Sequence, residues 1–143
     1  MKPEVDQILG LSAQQLMGVL GPQLPVGYAQ GSASILGVMM MLSAQEYDRA
    51  ADIRASENAD MRTLFREAAG KVSDADLKSS LLSAAGSRDA SLKISMLNAA
   101  NAELRHLLIR LQAHAEEKGE QALQRRIWGV LKASADRRLL RLA

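Results

Sequence analysis

Residues 58–65 read NADMRTLF, and residues 101–108 read NAELRHLL. Both segments lie in stretches rich in Ala, Leu, Met and Arg, which are residues of high helix propensity. The segments share three polar positions: Asn58 corresponds to Asn101, Asp60 to Glu103, and Arg62 to Arg105. This repetition predicts two long helices that occupy similar places in a bundle. Duplication of a helical hairpin and convergent packing both explain it.

Glycine, proline and capping residues divide the whole chain into helical stretches. The predicted helices run from Pro3 or Ser12 to just before Gly21, from Tyr28 to Ala69, from a capping box at Ser73–Asp76 to Gly86, from Ser87 or Arg88 to Lys118, and over the remaining residues. Gly70 is predicted to end the second helix in a left-handed conformation. No stretch alternates long enough to predict a strand. The predicted fold is all-α, an antiparallel bundle of four principal helices plus a short extra helix, forming one domain over residues 1–143.

The N-terminal third of the chain is unusual because no charged side chain lies between Asp6 and Glu46. Its longest apolar run, residues 35–42, is far shorter than the roughly 20 residues that span a bilayer, so no transmembrane span is expected. Large exposed apolar patches are rare on monomeric proteins. We therefore expect this segment to pack on its own helices and on a second subunit, which makes the protein a homodimer. The predicted interface residues are Ile35, Val38, Met39, Met40 and Leu42.

The segment Glu103-Leu-Arg-His106 places a carboxylate and an imidazole one helical turn apart. This spacing resembles the Glu-x-x-His ligand motif of ferritin-like di-iron bundles. The resemblance implies a metal-binding protein that holds iron, manganese or zinc. That family also needs a second Glu-x-x-His motif and two further glutamates, but Thr63 stands where the other repeated segment would need a histidine. The candidate metal ligands are Glu46, Glu103, His106 and His114.

The helical periodicity of the fourth helix favours a different interpretation of these residues. Its apolar stripe consists of Leu97, Ala100, Leu104, Leu108, Leu111 and Ala115. His106 lies nearly opposite this stripe and Glu103 lies at its edge, so both are expected to be solvated. Glu46 is predicted to be the only carboxylate near the core.

Two interpretations of the repeated Asn, acid and Arg residues remain open. In one, the two sets pair across an interface and fix its register, because polar residues at helical seams provide specificity. In the other, they are solvated flanks and intrahelical pairs.

The C-terminal segment from residue 125 is a basic amphipathic stretch, with six basic residues and one acid, Asp136. Its basic surface includes Arg137, Arg138 and Arg141. The acidic segments 57–60 and 116–120 are candidate counterparts within the chain or across subunits. Nucleic acid or an anionic membrane is the alternative partner of this surface, although no recognised motif or aromatic stacking set accompanies the charge.

Several chemistries have no basis in the sequence. The absence of cysteine excludes disulfides, thiolate metal sites and thiol nucleophiles. The chain also lacks a Gly-rich phosphate loop, a nucleophile elbow and a His-Glu-x-x-His motif. These features favour a non-enzymatic helical interaction or scaffold protein without a cofactor, homo-oligomeric and bound to a protein partner. The N-terminus lacks the pattern of a secretory signal, so a cytoplasmic location is expected.

Overall fold

The computed structural model describes residues 3–140, and this part of the chain is all-α without strands, as predicted. Its helices are α1 (Val5–Gln15), α2 (Tyr28–Ala69), α3 (Ala75–Gly86), α4 (Ile94–Glu117) and α5 (Gln121–Arg137). A π-helical turn (Leu16–Leu20) and a 3-10 turn (Gly21–Gln23) follow α1. The antiparallel arrangement of four principal helices is compatible with these elements and stays a prediction.

The chain divides into two compact units. Residues 51–139 form the first, here called the core unit, while residues 3–50 and Leu140 belong to the second, the N-terminal unit. The boundary falls within α2, between Ala50 and Ala51. The predicted single domain stays a prediction, because compact units of one chain can fold together or independently.

The observed helix boundaries agree with the predicted ones at some ends and differ at others. The bounds of α2 agree with the prediction, and Gly119 has the positive φ, 66°, expected of a glycine after a helix. Gly70 does not have a positive φ, so its predicted left-handed conformation is wrong. Instead, the amides of Lys71 and Val72 both donate to the Ala68 carbonyl oxygen and close the helix with a turn.

The starts of α3 and of the fourth helix also differ from the prediction. The N-cap of α3 is Asp74 rather than Ser73, and its Oδ1 accepts a hydrogen bond from the amide of Leu77 at 2.8 Å. The fourth helix begins at Ile94 rather than at Ser87 or Arg88. Residues 87–93 are not helical, and within them the side chains of Ser87 and Asp89 bind Arg62. Tertiary hydrogen bonds therefore replace a first turn of helix.

The core unit buries a continuous apolar cluster drawn from all its helices. The cluster includes Met61, Leu64 and Phe65 of α2, Leu77 and Leu81 of α3, Leu104, Leu108 and Leu111 of α4, and Leu123, Ile127 and Val130 of α5. These residues recur every three or four positions, so each helix turns one apolar stripe inward. Burial of such stripes is the main stabilising contribution in a helical protein.

The N-terminal unit has a different interior. Within residues 3–50, the buried residues are all small, namely Ala13, Gly21, Ala33, Gly37 and Ala50. A Cβ placed on Gly37 would lie only 2.2 Å from the Cγ atom of Met17, so the π-helical turn and α2 are in close contact there. Residues 3–50 therefore bury no large apolar side chain, and the close contact at Gly37 is made by the side chain of Met17.

Candidate functional site

The core unit contains a layer of polar side chains where its apolar stripes are interrupted. Glu57 follows Ile53 on the inward face of α2, Asn101 follows Leu97 on α4, and Ser134 follows Val130 on α5. Each of the three occupies a stripe position, four residues after a buried apolar residue. All three are buried, so their polar atoms need partners inside the protein. We call Glu57, Asn101 and Ser134 the polar layer.

Glu57 is the centre of this layer, and donors surround its carboxylate. Arg138 binds it through two hydrogen bonds, from Nε to Oε1 at 2.6 Å and from Nη2 to Oε2 at 2.7 Å. Ser134 donates to Oε1 at 2.6 Å, and Asn101 donates to Oε2 at 3.2 Å. The Nη2 atom of Arg105 lies 3.4 Å from the same oxygen. A two-pronged arginine pair with further donors is a strong arrangement for a buried carboxylate.

These contacts determine the ionisation of Glu57. Burial raises the pKa of Glu57, but the hydrogen bonds from Arg138 and Ser134 and the positive charges of Arg138 and Arg105 outweigh that effect and lower the pKa to about 2. The carboxylate is therefore ionised at neutral pH. A carboxylate with so low a pKa is a poor proton acceptor at neutral pH, and its hydrogen bonds connect α2 to Asn101 of α4 and Ser134 of α5.

A second set of bonds extends from the layer through the two repeated segments. Asn101 Nδ2 donates to Asn58 Oδ1 at 2.9 Å, and Arg105 Nε donates to Asn101 Oδ1 at 2.7 Å. Asn58 Nδ2 in turn donates to Asp89 Oδ1 at 3.0 Å and to the Leu97 carbonyl oxygen at 3.3 Å. The predicted pairing of the two sets across a helix–helix interface is thus confirmed for the asparagines.

The charged members of the repeat have other partners. Arg62 donates to Asp89 Oδ1 at 2.8 Å, and Arg137 lies 2.7 Å from Asp60 Oδ2. The hydrogen bond from Arg62 has the largest effect on the pKa of Asp89 and lowers it. Burial raises this pKa by less, so the pKa of Asp89 lies below its usual value. Glu103 is exposed.

The space beside the polar layer is too small for a substrate. The cavity lined by Glu57, Arg105 and Ser134 measures about 10 Å³. That volume holds about one water molecule. The layer therefore fixes the positions of three helices and leaves no room for a larger ligand.

The three candidate metal ligands of the core unit do not share one environment. Glu103 and His106 are exposed, whereas His114 is buried. Glu46 is half-buried and belongs to the N-terminal unit. Among residues 3–140, no group of three His, Asp or Glu side chains is arranged to hold a metal ion. The expectation that Glu46 is the only carboxylate near the core is wrong, because Glu57 is buried at 2% exposure.

The basic residues of α5 and of its C-cap, Arg138, mostly bind carboxylates of the same chain. Arg138 and Arg137 bind Glu57 and Asp60, which lie in the acidic segment 57–60 predicted as their counterpart. Two further ion pairs of this helix are Arg126 with Glu67 at 2.9 Å and Lys132 with Asp136 at 2.7 Å. The prediction of an intramolecular counterpart is confirmed for this segment. Arg141 lies outside the described residues.

The predicted interface residues are partly or largely exposed on α2. Ile35 is 63% and Met39 is 58% exposed, while Val38, Met40 and Leu42 are half-buried. Other large apolar side chains of the N-terminal unit are exposed as well, including Leu11, Val26 and Leu36. An uncharged segment with this much apolar exposure is a candidate interaction surface.

Sequence reasoning did not identify Asp89 and Ser134, and it included Glu57 only in the acidic segment 57–60, without predicting its burial. A signal for burial was available for Glu57 and Ser134. Glu57 and Ser134 both fall on the apolar stripes of their helices, four residues after Ile53 and Val130. A polar residue at such a position is buried unless the helix is exposed on all sides. Asp89 lies in a connection between helices and carries no comparable signal.

Comparison with known proteins identifies no family that matches this chain, no similar curated protein and no solved structure that matches it. Within residues 3–140, every helix is too short or too polar to cross a lipid bilayer.

Proposed function

We propose that the protein is a non-enzymatic helical interaction protein that self-associates through the N-terminal unit. The observation that carries this proposal is the interior of that unit: residues 3–50 bury no large apolar side chain, although residues 7–45 carry no charge. Exposed aliphatic surface without charges is unfavourable in water, and a partner that covers it provides hydrophobic stabilisation.

A second copy of the chain is the partner that suits this surface. Residues 3–50 provide no interior for their own large apolar side chains, whereas a second copy packed against the exposed ones would supply a core. A surface without charges needs no oppositely charged partner and is compatible with an identical surface across a two-fold axis. Ile35, Leu36 and Met39 lie within about one turn of α2 and are more than half exposed, so they are the central contacts of this proposed interface.

The core unit supplies the rigid scaffold in this proposal. Its polar layer joins α2, α4 and α5 through a buried carboxylate with five hydrogen bonds. Polar layers of this kind specify one register of packed helices. A scaffold with a defined register presents a constant outer surface to a protein partner.

Mass measurement on substituted chains tests the location of the interface. The variant Ile35→Glu with Met39→Glu places two charges on the proposed contact surface and should convert the assembly to monomers at micromolar concentration. The matched control is Leu82→Glu with Ile109→Glu, since Leu82 and Ile109 are 52% and 65% exposed on the core unit. The control should keep the wild-type mass by light scattering. Assembly that survives in the first variant, or that is lost in the control, overturns the proposal.

A lipid surface is the alternative partner that could bury the same aliphatic side chains. Flotation with phosphatidylcholine vesicles distinguishes the two: a self-associating protein stays in solution. Recovery of the wild-type protein with the vesicles, together with a monomeric mass in their absence, contradicts self-association.

A further inference from the structure

Three arginines line one groove on the surface of the core unit. The groove lies between α2 and the end of α3, and has a volume of about 540 Å³. Arg62 and Arg66 come from α2, and Arg88 comes from the connection after α3. Thr63 and Ser87 add hydroxyl groups to its walls. Asp89 is the acidic side chain among the lining residues.

The charge of Asp89 is already compensated. Its Oδ1 accepts from Arg62 Nη2 at 2.8 Å and from Asn58 Nδ2 at 3.0 Å. Arg62 is also bound to Ser87 Oγ through its Nε atom at 3.0 Å. The Arg62–Asp89 pair is therefore close to neutral, and the positive charges of Arg66 and Arg88 remain. The groove carries an excess of positive charge.

Two of the arginines are held in position before any ligand binds. Arg62 is buried and anchored to Ser87 and Asp89, and Arg66 Nη2 donates to the carbonyl oxygen of Ala85 at 3.0 Å. Each guanidinium has five N–H donors, so these anchors leave further donors for another acceptor. Groups that are fixed in advance lose less conformational entropy on binding. The side chain of Arg88 is exposed and makes no ion pair or hydrogen bond within residues 3–140.

The positive surface continues on the other side of Arg88. A second groove, of about 600 Å³, lies between α3 and α4, and shares Arg62, Ser87 and Arg88 with the first. His106 and Arg110 line it together with the carboxylate of Glu103. Arg88 thus lines two grooves that both contain basic side chains, which favours the approach of an anion to this face.

We propose that the groove of Arg62, Arg66 and Arg88 binds a phosphate group. Planar guanidinium groups bind phosphate oxygens through paired, charge-assisted hydrogen bonds. Arg66 and Arg88 supply the main contacts, and Thr63 supplies a hydroxyl donor. Arg62 is a positioning residue that fixes Asp89 and Ser87 on the opposite wall. The phosphate belongs to a free anion or to a lipid headgroup, and the site is independent of self-association.

The first experiment titrates inorganic phosphate into ¹⁵N-labelled protein at constant ionic strength, with chloride as the reference anion. Phosphate should produce saturable shifts confined to residues 59–66 and 85–89. Arg66→Gln with Arg88→Gln should weaken the phosphate affinity by at least about tenfold. The single variant Arg88→Gln, whose side chain has no partner within residues 3–140 to lose, should weaken it in the same direction with the fold intact.

A control variant distinguishes phosphate binding in the groove from a general effect of positive charge. Lys93→Gln with Arg125→Gln also removes two positive charges, but from exposed positions outside the groove. This control should bind phosphate as the wild type does. An equal loss of phosphate affinity in the control overturns the proposal. So do NMR shifts that are the same with chloride as with phosphate, or that do not saturate.

Vesicle flotation distinguishes the two sources of phosphate. Vesicles of phosphatidylcholine with added phosphatidate should retain the wild type but not the Arg66/Arg88 variant if the headgroup is the ligand. Saturable binding of phosphate without retention on these vesicles assigns the site to a soluble anion. Failure of both binding assays contradicts the proposal.

Discussion

Asn101 donates a hydrogen bond from Nδ2 to the Oδ1 atom of Asn58 at 2.9 Å, inside the core unit. These two residues are the first positions of the two repeated segments, so the repetition in the sequence corresponds to a direct contact in the fold. The same Nδ2 atom also lies 3.2 Å from Glu57 Oε2. The contact therefore connects the repeated asparagines to the buried carboxylate.

Removal of the Asn101 side chain should destabilise the core unit strongly. Asn101→Ala deletes a donor to Asn58 and Glu57 and the acceptor of Arg105, and leaves the buried Oδ1 atom of Asn58 without its partner. We expect a loss of about 3 kcal/mol in the free energy of unfolding, measured by denaturant titration. Asn98→Ala is the control on the same helix, because Asn98 is exposed and its side chain binds only Arg54, at 2.6 Å, within residues 3–140. Its cost should stay below about 1 kcal/mol. Equal costs for the two variants would show that the layer is not a buried network.

The ionisation of Glu57 should make the core unit sensitive to acid. Its folded pKa of about 2 lies below the ordinary value of 4.5, so its contribution to stability is complete above pH 4.5 and is lost as the pH falls from there towards 2. The shift corresponds to a stabilisation on the order of 3 kcal/mol at neutral pH. Glu57→Gln should therefore reduce the unfolding free energy at pH 7 and flatten its decline between pH 5 and 2.

Glu67→Gln is the matched control for this titration. Glu67 is also paired with an arginine, Arg126, whose hydrogen bond lowers the pKa of Glu67, but its side chain is 49% exposed. Exposed pairs contribute little because solvent screens them. The control should keep the wild-type pH dependence. If the unfolding free energy of Glu57→Gln declined with falling pH as steeply as that of the wild type, the predicted role of the Glu57 charge would be contradicted.

Two glycines of α2 should respond in opposite directions to the same substitution. A Cβ on Gly37 would lie 2.2 Å from Met17 Cγ and 2.6 Å from its Sδ, whereas a Cβ on Gly31 would meet no atom within 4 Å. Gly37→Ala should separate the π-helical turn from α2 at a cost of about 1–3 kcal/mol. Gly31→Ala should stabilise α2 by about 0.5–1 kcal/mol, because alanine has the higher helix propensity.

Amide hydrogen exchange of α1 and the π-helical turn measures this difference. Gly37→Ala should accelerate exchange there by about tenfold or more, and Gly31→Ala should not. Faster exchange in both variants would mean that α2 is sensitive to any side chain in this region and that the contact with Met17 is not special.

Helix propensity and periodicity predicted most elements of the fold, and failed where side chains form tertiary contacts. The bounds of α2 agree with those predicted from local signals, and its interior has no proline, but its end is closed by the amides of Lys71 and Val72 rather than by a left-handed Gly70. The start of α4 was predicted too early, because a local pattern does not reveal that Ser87 and Asp89 bind Arg62. The burial of Glu57 was not predicted, because a glutamate is normally solvated. Its burial depends on Arg138, 81 residues further along the chain.

The mass of the wild-type protein as a function of concentration tests the central proposal most directly. Sedimentation equilibrium between about 1 and 100 μM covers the affinities expected of a specific homodimer. The proposal predicts a mass of twice 15.5 kDa over most of this range, with dissociation confined to its dilute end. A mass of 15.5 kDa at every concentration would contradict self-association through the N-terminal unit.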